Sequence, residues 1–243
     1  MIKRLYVAGI GPGKADAMTI EVNKALVHSE LIVGYQAYID LIKEAYPDKE
    51  FYSTPMKQEI DRCREALRMA DEGHVVSMIC SGDAGVYGMA SPVLQLSGEY
   101  PDVEIIILPG VSAALSGAAV LGAPLSHDFC VISLSDLLTP WDVIEKRLRG
   151  GAMGDFCMAI YNPSSHKRAD YLKKACDILL EYKSGDTICG IVHHIGRDGE
   201  EKKIMTLGEL RDTSVDMFTT VFIGNRNTYE EAGAMITPRG YRL

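Results

Sequence analysis

The feature that most constrains this chain is a recurring unit: a short apolar run that stops at a glycine-bearing turn and gives way to an amphipathic helical stretch. KRLYVAG (3–9) ends in GIGPG (9–13), and in the helix that follows Thr19 is placed to cap, Glu21 lies in the first turn, and Val22, Leu26 and Val27 form a stripe at helical spacing. LIVGY (31–35) is the next run. A stretch from Glu59 to Glu72 puts Ile60, Cys63, Leu67 and Ala70 on one side, stops at Gly73, and leads to HVVSMICSG (74–82) and then VEIIILPG (103–110). The second half repeats the scheme with FCVISLS (129–135), a helix opened by Thr139-Pro140, FCMAIYNP (156–163), a helix from His166 to Leu180, TICGIVHHIG (187–196) and TTVFIGN (219–225).

Strands that are apolar throughout, rather than alternating, are buried on both faces, so the pattern predicts an α/β protein with mainly parallel sheets covered by helices. These are too many strands for one small sheet, and 243 residues suffice for two domains. The Gly, Ala and Ser content around 110–123 marks the junction, giving an N-terminal α/β lobe over 1–121 and a C-terminal α/β lobe over 122–243 with a ligand cleft between them.

Composition removes several classes of function. A net charge of −8 with no long Lys/Arg run gives no whole-chain basis for nucleic-acid binding. No apolar stretch approaches the ~20 residues that cross a bilayer, and the N-terminal run lacks a signal-peptide cleavage site, so no membrane partner and a cytoplasmic location are expected. The six cysteines (63, 80, 130, 157, 176, 189) include no C-x-x-C pair, and four fall in strands, where a small buried hydrophobe is the expectation; no metal site is foreseen. His193 and His194, adjacent on a strand, should point to opposite faces and chelate poorly.

Ligands of parallel sheets gather beyond the carboxyl ends of the strands. Those ends carry GIGPG, Gly34-Tyr35, SGDAGVYG (81–88), PGVSA (109–113), LSDLLTPW (134–141), YNPSS (161–165), HHIGRDGE (193–200) and GNRNT (224–228), a concentration of glycine that suits close approach of backbone to a ligand. A dinucleotide is disfavoured. The third glycine of G-x-G-x-x-G is replaced by Lys14, no acid ends the second strand, and Pro12 removes an amide from the loop.

Taken together, GIGPG, SGDAGVYG, PGVSA, LSDLLTPW and YNPSSHKR resemble the tetrapyrrole methylases, the two-lobed S-adenosylmethionine enzymes of cobalamin and sirohaem synthesis, over essentially the whole chain. The resemblance implies that fold, with the cofactor in the inter-lobe cleft, S-adenosyl-L-methionine as co-substrate and S-adenosyl-L-homocysteine as product. It also implies a tetrapyrrole substrate, a homodimer, and methylation of a ring carbon of a precorrin with contraction of the macrocycle, or methylation at another ring position. By similarity, Gly11, Pro12, Gly13, Ser81, Gly82, Asp83, Val86, Ser112, Ala113, Asn162 and Gly196 line the cofactor site. Asp83 reads either as an acceptor for the cofactor's ribose or amino group or as the cap of a helix beginning near Val86, and Asn162 either as a contact or as a turn residue before Pro163.

Methyl transfer to carbon needs alignment and exclusion of water rather than a nucleophilic side chain, whereas ring contraction moves a proton. Asp136, Ser135, His127 and Tyr35 are the candidates to move it; capping of the following helix by Asp136 and a loop role for His127 remain open. A polyanionic substrate calls for a local basic patch, and 142–174 is net positive, with Lys167 and Arg168 the carboxylate partners expected unless the stretch is simply a solvated helix face. Trp141 reads as a core aromatic or as a border of the macrocycle site.

Overall fold

A computed structural model describes residues 2–54, 58–165 and 168–242. The chain forms two compact units, Met1–Ser112 and Ala113–Leu243.

The first unit is a five-stranded parallel sheet in the order β3-β2-β4-β1-β5, formed by β1 (Arg4–Gly9), β2 (Leu31–Tyr35), β3 (Glu50–Thr54), β4 (Val75–Cys80) and β5 (Glu104–Leu108). Side chains alternate across a strand, and each face has its own core. Leu5, Val7, Met78 and Cys80 pack against Cys63, Ala66 and Leu67 of α3 (Glu59–Asp71) and Val93 of α4 (Ala90–Leu96). On the other face Ala8, Ile10, Ile32 and Ile79 meet Val22 and Leu26 of α1 (Ile20–His28) and Ile39 of α2 (Gln36–Ile42). Thr19 caps α1 as expected, its Oγ1 accepting from Val22 N at 3.2 Å. Ile60 lies outside the buried face, half exposed, and Arg62 and Ala66 complete it.

The second unit holds another five-stranded sheet, in the order β10-β9-β11-β8-β7: β7 (Phe129–Ser133), β8 (Cys157–Tyr161), β9 (Ile188–His193), β10 (Glu201–Thr206) and β11 (Thr219–Ile223). Here the expectation of mainly parallel pairing fails. Only β7 and β8 pair parallel; β9 is antiparallel to both β10 and β11, and β11 to β8. An antiparallel strand covered on both faces reads as apolar throughout just as a parallel one does, and every residue of β11 is buried. The signal against parallel pairing lies in the short 194–200 connection between β9 and β10, since a parallel crossover needs a dozen or more residues.

One face of this sheet packs on α6 (Trp141–Met153), α7 (Tyr171–Leu180) and α8 (Leu207–Arg211). The other is covered by α5 (Ala113–Leu121), which lies within the 110–123 stretch read as the junction. It belongs to the second unit because its small residues let it press onto the sheet: a Cβ on Gly117 would come within 2.8 Å of both Ile195 and Phe222, and one on Gly190 within 2.7 Å of Leu121. A small three-stranded sheet of β12 (Tyr229–Glu231), β13 (Ala234–Ile236) and β6 (Gly122–Ala123) completes the unit. Pro140 is the N-cap of α6 rather than its first residue, and α7 starts at Tyr171, the proposed start at His166 lying outside the described residues. Among the described residues no helix is long and apolar enough to cross a membrane, and no group of three or more His, Cys, Asp or Glu side chains is arranged for a metal.

Candidate functional site

In the first unit, the sheet order sets β1 between β4 and β5, so their three carboxyl ends emerge side by side. The turns there touch backbone to backbone. Gly11 N donates to Gly82 O at 3.0 Å and Gly82 N to Gly11 O at 2.8 Å. A Cβ on Gly110 would lie 2.2 Å from Gly82 O and 2.4 Å from Gly9 O, a distance no side chain tolerates, and Gly11 itself sits at φ +74°. Glycine is therefore required here by packing among the strand ends themselves. Pro12 and Gly13 continue that rim half-buried, as does Ser81; Ser112 closes the unit, buried.

Asp83 organises the rim through its carboxylate. Oδ1 accepts from Gly85 N at 2.8 Å and Val86 N at 3.0 Å, while Oδ2 accepts from Gly110 N at 2.9 Å, tying the β4 turn to the β5 turn. It caps no helix, because α4 begins only at Ala90; the bonds form an Asx-type turn. Val86 is exposed beyond it.

Tyr35, also in this unit, ends β2, with its ring edge-on to Tyr38 at 5.4 Å. The Arg62 guanidinium lies 5.9 Å from the Tyr35 ring centroid and donates to Thr54 Oγ1 at 2.9 Å and Thr54 O at 3.3 Å, joining the ends of β2 and β3. Nothing in the sequence marked Arg62, a cation on the apolar face of α3, as a member of this edge.

In the second unit the parallel pairing of β7 and β8 places Ser133 opposite Tyr161, so LSDLLTPW and YNPSS leave the sheet together. Asn162, at φ +52°, donates from Nδ2 to Ser133 Oγ at 2.9 Å. Arg168 Nη1 donates to Ser135 Oγ at 2.8 Å and Asp136 Oδ1 at 3.2 Å, its Nε to Ser165 Oγ at 3.0 Å, and Tyr171 donates from its hydroxyl to Asp136 Oδ2 at 2.6 Å. Asp136 does not cap α6, which has no side-chain cap.

The hydrogen bond from Tyr171, reinforced by Arg168, holds the Asp136 carboxyl below the usual carboxylate range; the same bond raises the Tyr171 hydroxyl. Asp136 is thus kept ionised, suited to accept a proton rather than to deliver one. Trp141 packs at 4.5 Å against Tyr171 and over the edge of the core, its Nε1 donating to Glu145 at 2.6 Å.

His127 does not join this network. It precedes β7, so the five residues of that strand, ~16 Å, separate it from Ser135. Its Nδ1 accepts from Asp128 N at 2.9 Å, which is the loop role. Ala113 opens α5, whose Ala114 N donates to the Tyr161 hydroxyl at 2.7 Å. Gly196, at φ +68°, follows β9 with its N donating to Glu200 at 2.6 Å.

The basic stretch is largely neutralised: Lys146 pairs with Asp142, Arg149 with Glu145 and Glu181, Lys173 with Asp212 and Lys174 with Asp170. Arg168 is engaged by Asp136, and Lys167 lies outside the described residues. The His193 and His194 rings stack at 3.8 Å instead of pointing apart, because β9 ends at His193 and His194 turns to φ +50°.

Comparison with known proteins places this geometry. The family model of the Tetrapyrrole (Corrin/Porphyrin) Methylases matches residues 4–211. A protein of Salmonella typhimurium named probable cobalt-factor III C(17)-methyltransferase is 49% identical over 98% of this chain and 100% of its own length. The precorrin-3B C(17)-methyltransferase of a Sinorhizobium species is 39% identical, covering 99% of this chain and 98% of its own. The crystal structure of the methyltransferase CobJ superposes with a TM-score of 0.89 at 39% identity, over 96% of this chain and 99% of that one.

Proposed function

This chain belongs to the tetrapyrrole methylases and is a methyltransferase, and from that premise we propose that it methylates C17 of a cobalt-bearing precorrin-3B-type macrocycle, with ring contraction, using S-adenosylmethionine. The observation that carries the reading is the full-length similarity to proteins named for that reaction; the most similar of those described above bears the cobalt name, which favours the cobalt form.

S-adenosylmethionine supplies an electrophilic methyl group on a sulfonium and leaves as S-adenosylhomocysteine. The rim of the first unit fits such a ligand, since the glycines at 9, 11, 82 and 110 put no bulky side chain in the way, and Pro12, Gly13 and Ser81 continue it half-buried. In this reading Gly11, Pro12, Gly13, Ser81, Gly82, Val86 and Ser112 contact the cofactor. Asp83 serves by fixing the rim's shape, with one lone pair of Oδ2 left to accept. From the second unit Ala113, Asn162 and Gly196 are assigned as further contacts.

For ring contraction, Asp136 accepts the proton that the substrate loses. Ser135, held by the same Arg168 Nη1, orients the substrate group, and Tyr171 and Arg168 keep the carboxylate ionised and aimed. Tyr35 is assigned a place beside the substrate from the first unit. The proposal extends to a cytoplasmic homodimer, checked by sedimentation of the purified protein and by cell fractionation.

The test is incubation with S-adenosylmethionine and, separately, cobalt-factor III and metal-free precorrin-3B, with the product assigned by mass and NMR. One added methyl at C17 in a contracted ring is expected, faster with cobalt. A methyl at another carbon would place the enzyme elsewhere in the family's chemistry, and no methyl gained would reject the substrate class.

A further inference from the structure

The second unit contains a cavity that the methyl-transfer reading does not use. It measures about 680 Å3 and lies at the carboxyl ends of α6 and α7 and the turn after β11, with Asp155, Lys183, Asn225 and Arg226 among its lining residues. Asp155 precedes β8 and Asn162 follows it, so five strand residues, ~16 Å, separate this cavity from the Ser135–Asp136 network.

One carboxylate orders the cavity wall. The Lys183 ammonium, with a side chain only 4% exposed, donates to Asp155 Oδ1 at 3.0 Å and to Gly224 O at 3.1 Å. Arg226 Nε donates to Asp155 Oδ2 at 2.7 Å, and its backbone N to Oδ1 at 3.2 Å. Burial alone would raise the Asp155 pKa, but these bonds outweigh it and hold the carboxyl below its ordinary value. Asp155 is therefore saturated with donors, and the cations that hold it have donors left over.

Those remaining donors define the chemistry. An ammonium has three N–H groups and Lys183 uses two. The Nη atoms of Arg226 make no bond among the described residues, its side chain being 77% exposed. Asn225 is 6% exposed; its Oδ1 accepts from Asn227 N at 3.0 Å and Thr228 Oγ1 at 3.2 Å, while Nδ2 has no partner. Since no buried side-chain nitrogen or oxygen among the described residues lacks a partner, that Nδ2 is reached by solvent, and Asn225 lines the cavity. Asp186 also lines it, but is exposed, where water screens its charge. Selectivity then comes from unspent donors rather than from net charge.

We propose that this cavity binds a small organic molecule through an oxyanion group, seated on Arg226 Nη, Asn225 Nδ2 and the third N–H of Lys183. Charge-assisted bonds from a guanidinium and an ammonium suit phosphate and carboxylate oxygens alike. A volume of about 680 Å3 is more than a bare ion fills and lies within the ~300–1,000 Å3 of small-molecule sites, so the ligand carries an organic body behind its head.

Calorimetric titration of the full chain, saturated with S-adenosylhomocysteine, tests this with inorganic phosphate, ribose 5-phosphate and succinate as probes. At least one binds, a phosphate or carboxylate preference naming the head group, and ribose 5-phosphate exceeds inorganic phosphate if the phosphate arm is the true one. Arg226→Ala weakens the bound probe roughly tenfold and leaves methyl transfer unchanged. Asn225→Leu weakens it further; should that variant fold poorly, the exposed Arg226→Ala still decides. Absence of binding by all three probes, or equal binding by wild type and Arg226→Ala, overturns the proposal.

Discussion

The glycine rim of the first unit and the Asp136 network of the second are built from opposite materials. The rim is backbone held against backbone, with its one carboxylate bonded to three amides. The network is made of side chains from two loops and a helix, joined through one guanidinium and one phenol. A backbone site has almost no chemical choice open to mutation: any added atom collides. A side-chain site tolerates substitution of its parts and answers by changing protonation. The difference suits the two demands of the proposed reaction, alignment of a methyl donor and movement of a proton.

The largest expected effect breaks the rim. Gly110→Ala sets a methyl against Gly82 O and Gly9 O, both backbone atoms that cannot swing aside. Denaturant unfolding should show a loss of about 3 kcal/mol or more, the upper part of the usual overpacking range, and S-adenosylhomocysteine binding by calorimetry should vanish. Gly98→Ala, with open space around the new Cβ, is the control expected to leave both unchanged.

Next comes the network. Asp136→Asn should lower ring contraction by roughly 10²–10⁴-fold while methyl transfer continues, so a methylated, uncontracted product accumulates and is seen by mass and NMR. The pH dependence sharpens this. Because the folded pKa of Asp136 is depressed, activity that needs its carboxylate persists below the ordinary range of pH 4 or so and is lost only as pH falls through the folded value. Tyr171→Phe removes the main cause of that depression, so the acid limb of the contraction rate should move to higher pH. An unmoved limb would place the proton elsewhere.

Asp83→Ala tests the rim by a gentler route. It frees three backbone amides at a half-exposed site, and a loss of roughly 1–3 kcal/mol is expected, with weakened S-adenosylhomocysteine binding. Preserved stability with lost binding would instead make Asp83 a direct contact of the cofactor.

The same contrast explains what could be read from the sequence. Gly11, Gly82 and Gly110 announce themselves, because a residue without Cβ at a strand end has few other uses. Tyr171 and Arg62 gave no such signal. One sits in an ordinary amphipathic helix, the other on an apolar face, and only the fold brings them to Asp136 and Tyr35. Among the strands, β3 and β10 were missed because EFYST and EKKIMT, at the sheet edges, are partly exposed and lack the continuous apolar run. The reversal of β11 was hidden for the converse reason, since its full burial erases the alternation that distinguishes pairing modes.

His127 supplies the smallest effect and the sharpest discrimination. A histidine in the GAPLSHDF loop invites a catalytic role, yet it lies at the amino end of β7 while Ser135 lies at the carboxyl end, and its Nδ1 accepts from the next residue's amide beside that residue's carboxylate. The ring is exposed. His127→Ala should therefore change stability by no more than about 0.5 kcal/mol, as surface substitutions do, with the rates of methyl transfer and contraction and the contraction pH profile all matching wild type. A contraction profile changed by His127→Ala would transfer the proton-moving role from Asp136 to the opposite end of the strand, and with it the side of the second unit on which the macrocycle sits.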